Sequence, residues 1–332
     1  MSGSVIMLLF GRRRFLCLAG SGAACAAFAP TSFADDYPSR PIRWIVPFPA
    51  GGTTDLVARL MGDWLSKRLG QQVIVENKPG GGTNVGVEAA VAAPADGYTL
   101  LLTLATNTIN PSLYKTLPFD FQRDIAPVAG LADLPLLIEV NPSFPPRTVA
   151  ELIAYAKAHP GKIDFASFGA RTISDLAIQL FQISAGIEVV RVPYPGDAPM
   201  LLDLVSGRVQ AAADALPAAL PHIRAGEIRA VAMLSSKRSP ALPNVPTVGE
   251  TIPGFEAKAW TGVGVPRGTP AAIVERLNRE INAGLADPGI KARLAEVGGE
   301  PLVYTPAELG ALVGSETTRW ANLIKRVGIK PQ

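Results

Sequence analysis

The sequence predicts an α/β protein of two lobes joined by two hinge strands, and three observations predict it. The chain has 332 residues, more than a single hydrophobic core usually organises. Along it, short β-branched runs alternate with Gly/Pro/Asn turns and amphipathic stretches, the pattern of parallel sheets covered by helices. Twice, near residues 135 and 260, that alternation gives way to an apolar run without helical spacing, as expected where a chain leaves one lobe and returns to it.

Residues 1–34 read as an export signal outside the fold. Arg12-Arg13-Arg14-Phe15-Leu16 precedes an uncharged stretch at 17–29, and Ser32-Phe33-Ala34 has the small-x-small form that a signal peptidase cuts. The order Arg-Arg-x-Phe-Leu has the form of a twin-arginine signal, and a Sec signal with three arginines is the alternative. Cleavage after Ala34 removes three of the 31 bases and none of the 28 acids, leaving 28 bases against 28 acids. Neutrality gives no bulk charge for nucleic-acid binding. Cys17 and Cys25 leave with the signal, so the mature chain has neither thiol nor disulfide, in keeping with a periplasmic location.

The elements follow in order. A strand at 42–48 runs into a helix at 53–69; a strand at 72–76, a glycine-rich turn at 77–82 and a helix at 84–93 come next, then a strand at 98–104. After the helix-free run 125–140 come helix 149–159, strand 162–166, helix 173–185, strand 189–194, helix 198–206, strand 209–214, helix 217–225 and strand 229–234. A Pro-rich connector at 239–253 and a second helix-free run at 255–266 precede helices at 270–285, 289–297 and 306–327. These boundaries give a first lobe of 35–137 with 258–332 and an inserted lobe of 138–257, with a ligand cleft between them.

Two glycine turns carry the candidate chemistry. Phe48 and Pro49-Ala50-Gly51-Gly52-Thr53-Thr54-Asp55 lead a strand into a helix whose first amides and dipole favour an anion. No Lys-Ser/Thr follows the glycines and no G-x-G-x-x-G is present, and Asp55 would repel a phosphate, so a carboxylate suits the turn better. The bland alternative is a capped helix, with Thr53 as cap. In the inserted lobe, Ser167, Gly169, Ala170, Arg171 and Thr172 form a second strand-turn-helix element, and Arg171 could grip a carboxylate with two parallel hydrogen bonds or merely pair with Asp175. Thr106, Asn107 and Asp214 follow or end strands where parallel sheets open, and Tyr194 lines either the cleft or the core. His159 and His222 lack partners at metal spacing, and neither a Gly-x-Ser-x-Gly elbow nor an H-E-x-x-H helix occurs. Binding without catalysis, cofactor or metal is the economical reading.

Taken together, Tyr37-Pro38-Ser39-Arg40-Pro41-Ile42, the 46–55 turn, Val75-Glu76-Asn77-Lys78-Pro79-Gly80, Asp96-Gly97-Tyr98-Thr99-Leu100, the run 216–226 beginning Leu216-Pro217, and Lys237-Arg238-Ser239-Pro240 carry a resemblance. The chain resembles the periplasmic solute receptors of the tripartite tricarboxylate transporter family, also called Bug receptors. The resemblance implies a periplasmic-binding-protein fold of the Venus flytrap, type II-like form, acting as a monomer. It implies a small carboxylate as ligand, a dicarboxylate, aromatic or aliphatic, being expected from the added Arg171, and membrane permease subunits as partners. It also implies that residues 50–55 hold one carboxylate end, that 167–172 close from the other lobe, and that Asp214 meets the distal part. The chain departs from the family at Gly169-Ala170-Arg171-Thr172, where a Gly-Asn-Gly-Thr-like loop is expected, and at Tyr194-Pro195-Gly196-Asp197-Ala198-Pro199, where Tyr-Lys-Gly-Gly-Ala-Pro is expected. Rival readings are presentation of the solute to a sensor kinase, an enzyme on the same fold, and a cytoplasmic regulator lobe.

Overall fold

Strand β1 (Ile42–Val46) begins the fold of the computed structural model, which describes residues 37–331. The export signal expected at 1–34 lies outside the described residues. After β1 come α1 (Thr53–Leu69), β2 (Val73–Asn77), α2 (Asn84–Val91), β3 (Thr99–Leu104), α3 (Ala105–Leu113), the short α4 (Phe121–Asp124) and β4 (Ile125–Leu134). The middle of the chain supplies β5 (Leu136–Val140), α5 (Val149–Ala158), β6 (Asp164–Ser167), α6 (Ile173–Ala185), β7 (Val190–Pro193), α7 (Asp197–Val205), β8 (Ala211–Ala215), α8 (Leu216–Ala225) and β9 (Arg229–Met233). It closes with β10 (Ala259–Pro266), α9 (Ala271–Ala286), α10 (Pro288–Glu296), β11 (Glu300–Pro301) and α11 (Pro306–Arg326).

The strands form two sheets. One is six-stranded in the order β11-β4-β10-β3-β1-β2, and the other five-stranded in the order β7-β6-β8-β5-β9. β1 pairs in parallel with β2 and β3, as β6 does with β7 and β8, while β10 and β5 run antiparallel to their neighbours. All six residues of β3 and all eight of β10 are buried, because helices cover both faces of the first sheet. Trp44, Trp260 and Trp320 are the largest side chains of its core.

A single residue, Pro135, separates β4 of the first sheet from β5 of the second. Its carbonyl accepts from Leu216 N at 2.8 Å, which ties this crossing to the start of α8. The return crossing runs through residues 234–258, where the Arg238 guanidinium donates twice to Glu250, at 2.8 and 2.7 Å.

Local signals explain most helix ends. α1 begins after Gly52 in extended backbone, carries Asp55 in its first turn and Lys67 and Arg68 in its last, and stops at left-handed Gly70. Helix α3 is different, since residues 105–113 include Thr106, Thr108, Ile109 and Pro111 and do not read as helix. Burial overrides that weak propensity: residues 105–110 are all buried, and α3 packs against α11.

Candidate functional site

The C-terminal ends of β1 and β3 in one sheet and of β6 in the other meet at the interface between the lobes. They enclose a chamber of about 50 Å³, room for a few water molecules. Its walls are mostly apolar: Phe48, Leu104, Leu134, Phe168, Ile173 and Trp260. Phe48 of the first lobe and Phe168 of the second meet edge to face, with centroids 5.9 Å apart. Beyond this pair opens an outer cavity of about 870 Å³ lined by the glycine turn at 79–83, Tyr114, Arg171 and Tyr194.

The turn that leads into α1 is locked by its own acid. Asp55 accepts from Gly51 N at 3.0 Å, from Arg59 Nε at 2.9 Å and from Asn77 Nδ2 at 3.0 Å. Burial pushes its carboxyl up, but Arg59 and the two neutral donors outweigh this and hold it below the usual carboxylate range. Gly51 sits at φ 87°, where a side chain is strained, which is why the turn is spelled with glycine there. Asp55 therefore shapes the turn from behind, and the Thr53 amide is left at the cleft.

That amide already holds a carboxylate. Thr53 N donates to Asp197 Oδ2 of the opposite lobe at 2.9 Å, in a buried contact spanning 144 residues of sequence. A Cβ on Gly52 would stand 2.9 Å from the same oxygen, so glycine is what lets the acid approach. Burial raises the Asp197 carboxyl above its usual range, partly offset by the Thr53 amide. Glu139 and Asp214 stand deeper in the second lobe, both fully buried. Leu137 pairs with Asp214 and Glu139 with Ala212, so the two acids project from one face of that sheet. Burial first, and then the charge of Asp197, hold Glu139 well above the usual range; burial, Asp197 and Glu139 do the same to Asp214.

The second helix N-terminus is satisfied differently. Arg171 N donates to Asp175 Oδ2 at 3.0 Å, Thr172 N to Gly169 O at 3.3 Å, and Ile173 N to Thr106 Oγ1 across the cleft at 3.3 Å. Asp175 also accepts from Arg191 Nη1 at 2.7 Å, so its ion pair is with Arg191. The Arg171 guanidinium lies 4.6 Å from the centre of the Tyr114 ring. Its backbone φ is 60°, the conformation in which the family pattern places glycine.

Of the residues singled out from sequence, Phe48, Ala50, Gly52, Thr53, Thr54 and Thr106 line the chamber. Phe48, Gly169, Ala170, Arg171, Thr172 and Tyr194 line the outer cavity. Asn107 serves the first lobe, accepting from Leu104 N at 2.7 Å and donating to Thr83 Oγ1 at 3.0 Å. Ser167 is buried beneath its turn, and Asp214 accepts from Ala215 N at 2.7 Å. Tyr194 donates to Asp203 Oδ2 at 2.7 Å, and burial with that acid pushes its hydroxyl up to about 12. His159 stacks on Tyr155 and His222 pairs with Glu227, both at exposed positions. Sequence reasoning missed Asp197, Glu139, Trp260 and Leu134. Trp260 is buried with an Nε1–H that finds no acceptor. The one signal for Asp197 was its replacement of a glycine in the family pattern.

Two sheets with crossing strands and a cleft at the strand ends define a periplasmic-binding-protein fold. The family described as "Tripartite tricarboxylate transporter family receptor" matches residues 57–329, and the chain belongs to it. Protein BugT of Bordetella pertussis is 38% identical over 320 residues, 96% of this chain and 98% of its own. The structure of R. palustris Rpa4515 with adipate superposes with a TM-score of 0.86 at 38% identity, covering 90% of this chain and 100% of that one. MatC from Rhodopseudomonas palustris with bound malate gives 0.82 at 33% identity over 87% of this chain and 100% of its own. Among the described residues no helix is long and apolar enough to cross a membrane, and no cluster of acids and histidines suits a metal.

Proposed function

We propose that this protein is exported by its N-terminal signal, captures a small organic acid by its carboxylate and delivers it to membrane permease subunits. The observation that carries the reading is the Thr53 amide, which holds a carboxylate oxygen in the closed molecule. An amide at a helix N-terminus bonded to a charged oxygen is worth about 1.5–3 kcal/mol net. A ligand acid takes the place Asp197 now fills, and the lobes part to admit it because the chamber is too small for a six-carbon acid. The far end of the ligand passes the Phe48–Phe168 pair toward the outer cavity, where Arg171 suits a second carboxylate. Adipate and malate in the two R. palustris structures support an acid of this size. Membership of a family described as a transporter receptor supports binding without turnover.

Thermal unfolding of the purified protein against mono-, di- and tricarboxylates tests the reading. A ligand at a hundred times its Kd adds about 2.7 kcal/mol of stability. If every acid fails while uncharged amides succeed, the reading is wrong.

A further inference from the structure

The chamber offered to an anion contains no cation. Among the described residues that line it, Asp197 is the one charged side chain. Behind it both oxygens of Glu139 and Oδ2 of Asp214 are buried without a hydrogen-bonding partner, and both acids lie near enough to sense the charge of Asp197. A plain mono- or dicarboxylate seated on the Thr53 amide brings like charge against this acid among buried residues, where charges are poorly screened. A zwitterion does not.

We infer that the chamber selects α-amino acids, the ligand carboxylate taking the Thr53 amide and its ammonium taking the Asp197 carboxylate. Donor and acceptor are already neighbours, 2.9 Å apart across the lobes. Drawing Asp197 back by the width of a ligand places an anion site and a cation site side by side, as the two charged groups on one Cα require. The apolar walls, Phe48, Phe168 and Trp260 among them, then receive the side chain. The ammonium also supplies a donor to a group of acids that has none of its own beyond the Thr53 and Ala215 amides. This inference rests on the carboxylate reading above.

Isothermal titration at pH 7 with matched pairs tests it: leucine against 4-methylpentanoate, phenylalanine against 3-phenylpropanoate, 2-aminoadipate against adipate, each with the corresponding amino acid amide. At least one amino acid should bind about tenfold or more tighter than its deaminated partner, as a charge-assisted hydrogen bond allows. Asp197→Asn should remove that preference, the amino acid losing more affinity than its deaminated partner. Asp197→Gly, checked for a cooperative thermal transition, repeats the comparison if the first variant does not fold. Deaminated acids that match or exceed the amino acids in every pair overturn the inference and leave the carboxylate reading intact. So does an Asp197→Asn protein that keeps the full preference. Amides that bind where the free acids do not, or an absence of binding by both acid series, overturn the carboxylate reading as well.

Discussion

Helices α1 and α6 both begin at a small-residue turn after a parallel strand, and each faces the cleft from its own lobe. They differ in what their first amides hold. At α1 the local acid Asp55 braces the turn, and the Thr53 amide is left to take a carboxylate from the other side of the cleft. At α6 the local acid Asp175 takes the Arg171 amide itself, and the remaining cross-lobe contact is a neutral hydroxyl, that of Thr106. The same local phrase thus leaves an amide bonded to a carboxylate across the cleft in one lobe and a locally satisfied helix start in the other. The position of one carboxylate relative to its turn decides which.

Asp55→Ala is the most damaging way to break the α1 half of this comparison. It removes a buried acceptor of three hydrogen bonds, and after discounting the half-exposed Arg59 it should cost about 2–4 kcal/mol by denaturant unfolding. Because the folded carboxyl lies below its unfolded value, its contribution is complete above the unfolded range near 3.8 and fades as pH falls through the folded one. The wild type should therefore lose its advantage over the variant in acid. An unchanged gap between pH 7 and pH 2 would show that Asp55 does not stabilise the turn as a carboxylate.

Gly52→Val should come next in size. Gly52 has φ −90° and ψ 178°, a conformation open to valine, so the fold should survive while the side chain crowds the place of Asp197 Oδ2. Loss of the charge-assisted hydrogen bond at the Thr53 amide predicts an affinity for the ligand acid about 10- to 100-fold weaker. Calorimetric affinity within a few-fold of wild type would move the anion site away from α1.

Thr106→Val should have the smallest effect. It deletes the neutral acceptor of Ile173 N, so about 1 kcal/mol of closure and roughly fivefold in affinity should go. A loss as large as that of Gly52→Val would mean that α6 contributes as much as α1, and the contrast would disappear.

The α1 element was legible from sequence because its signals are contiguous: β-formers at 42–46, then a Pro/Gly turn, then Asp55 in the first helical turn. Helix α3 was not, because its β-branched residues and Pro111 argue locally against helix and its stability comes from burial beneath α11. Arg171 reads as a carboxylate clamp from its chemistry, but its place over Tyr114 in the outer cavity was not legible, because sequence gives no direction to a side chain. Asp197 was missed for a deeper reason. Its partner is 144 residues away in the other lobe, and no local pattern encodes a contact that exists only when the lobes meet.

Pro135 has a mechanical corollary. With a single residue between β4 and β5, and that residue fastened to α8 through Leu216 N, the two sheets cannot slide past each other on this side. The opening proposed above would then be a swing about this crossing, as in a book whose spine stays put. On the proposed reading, a ligand would enter and leave along the fore-edge.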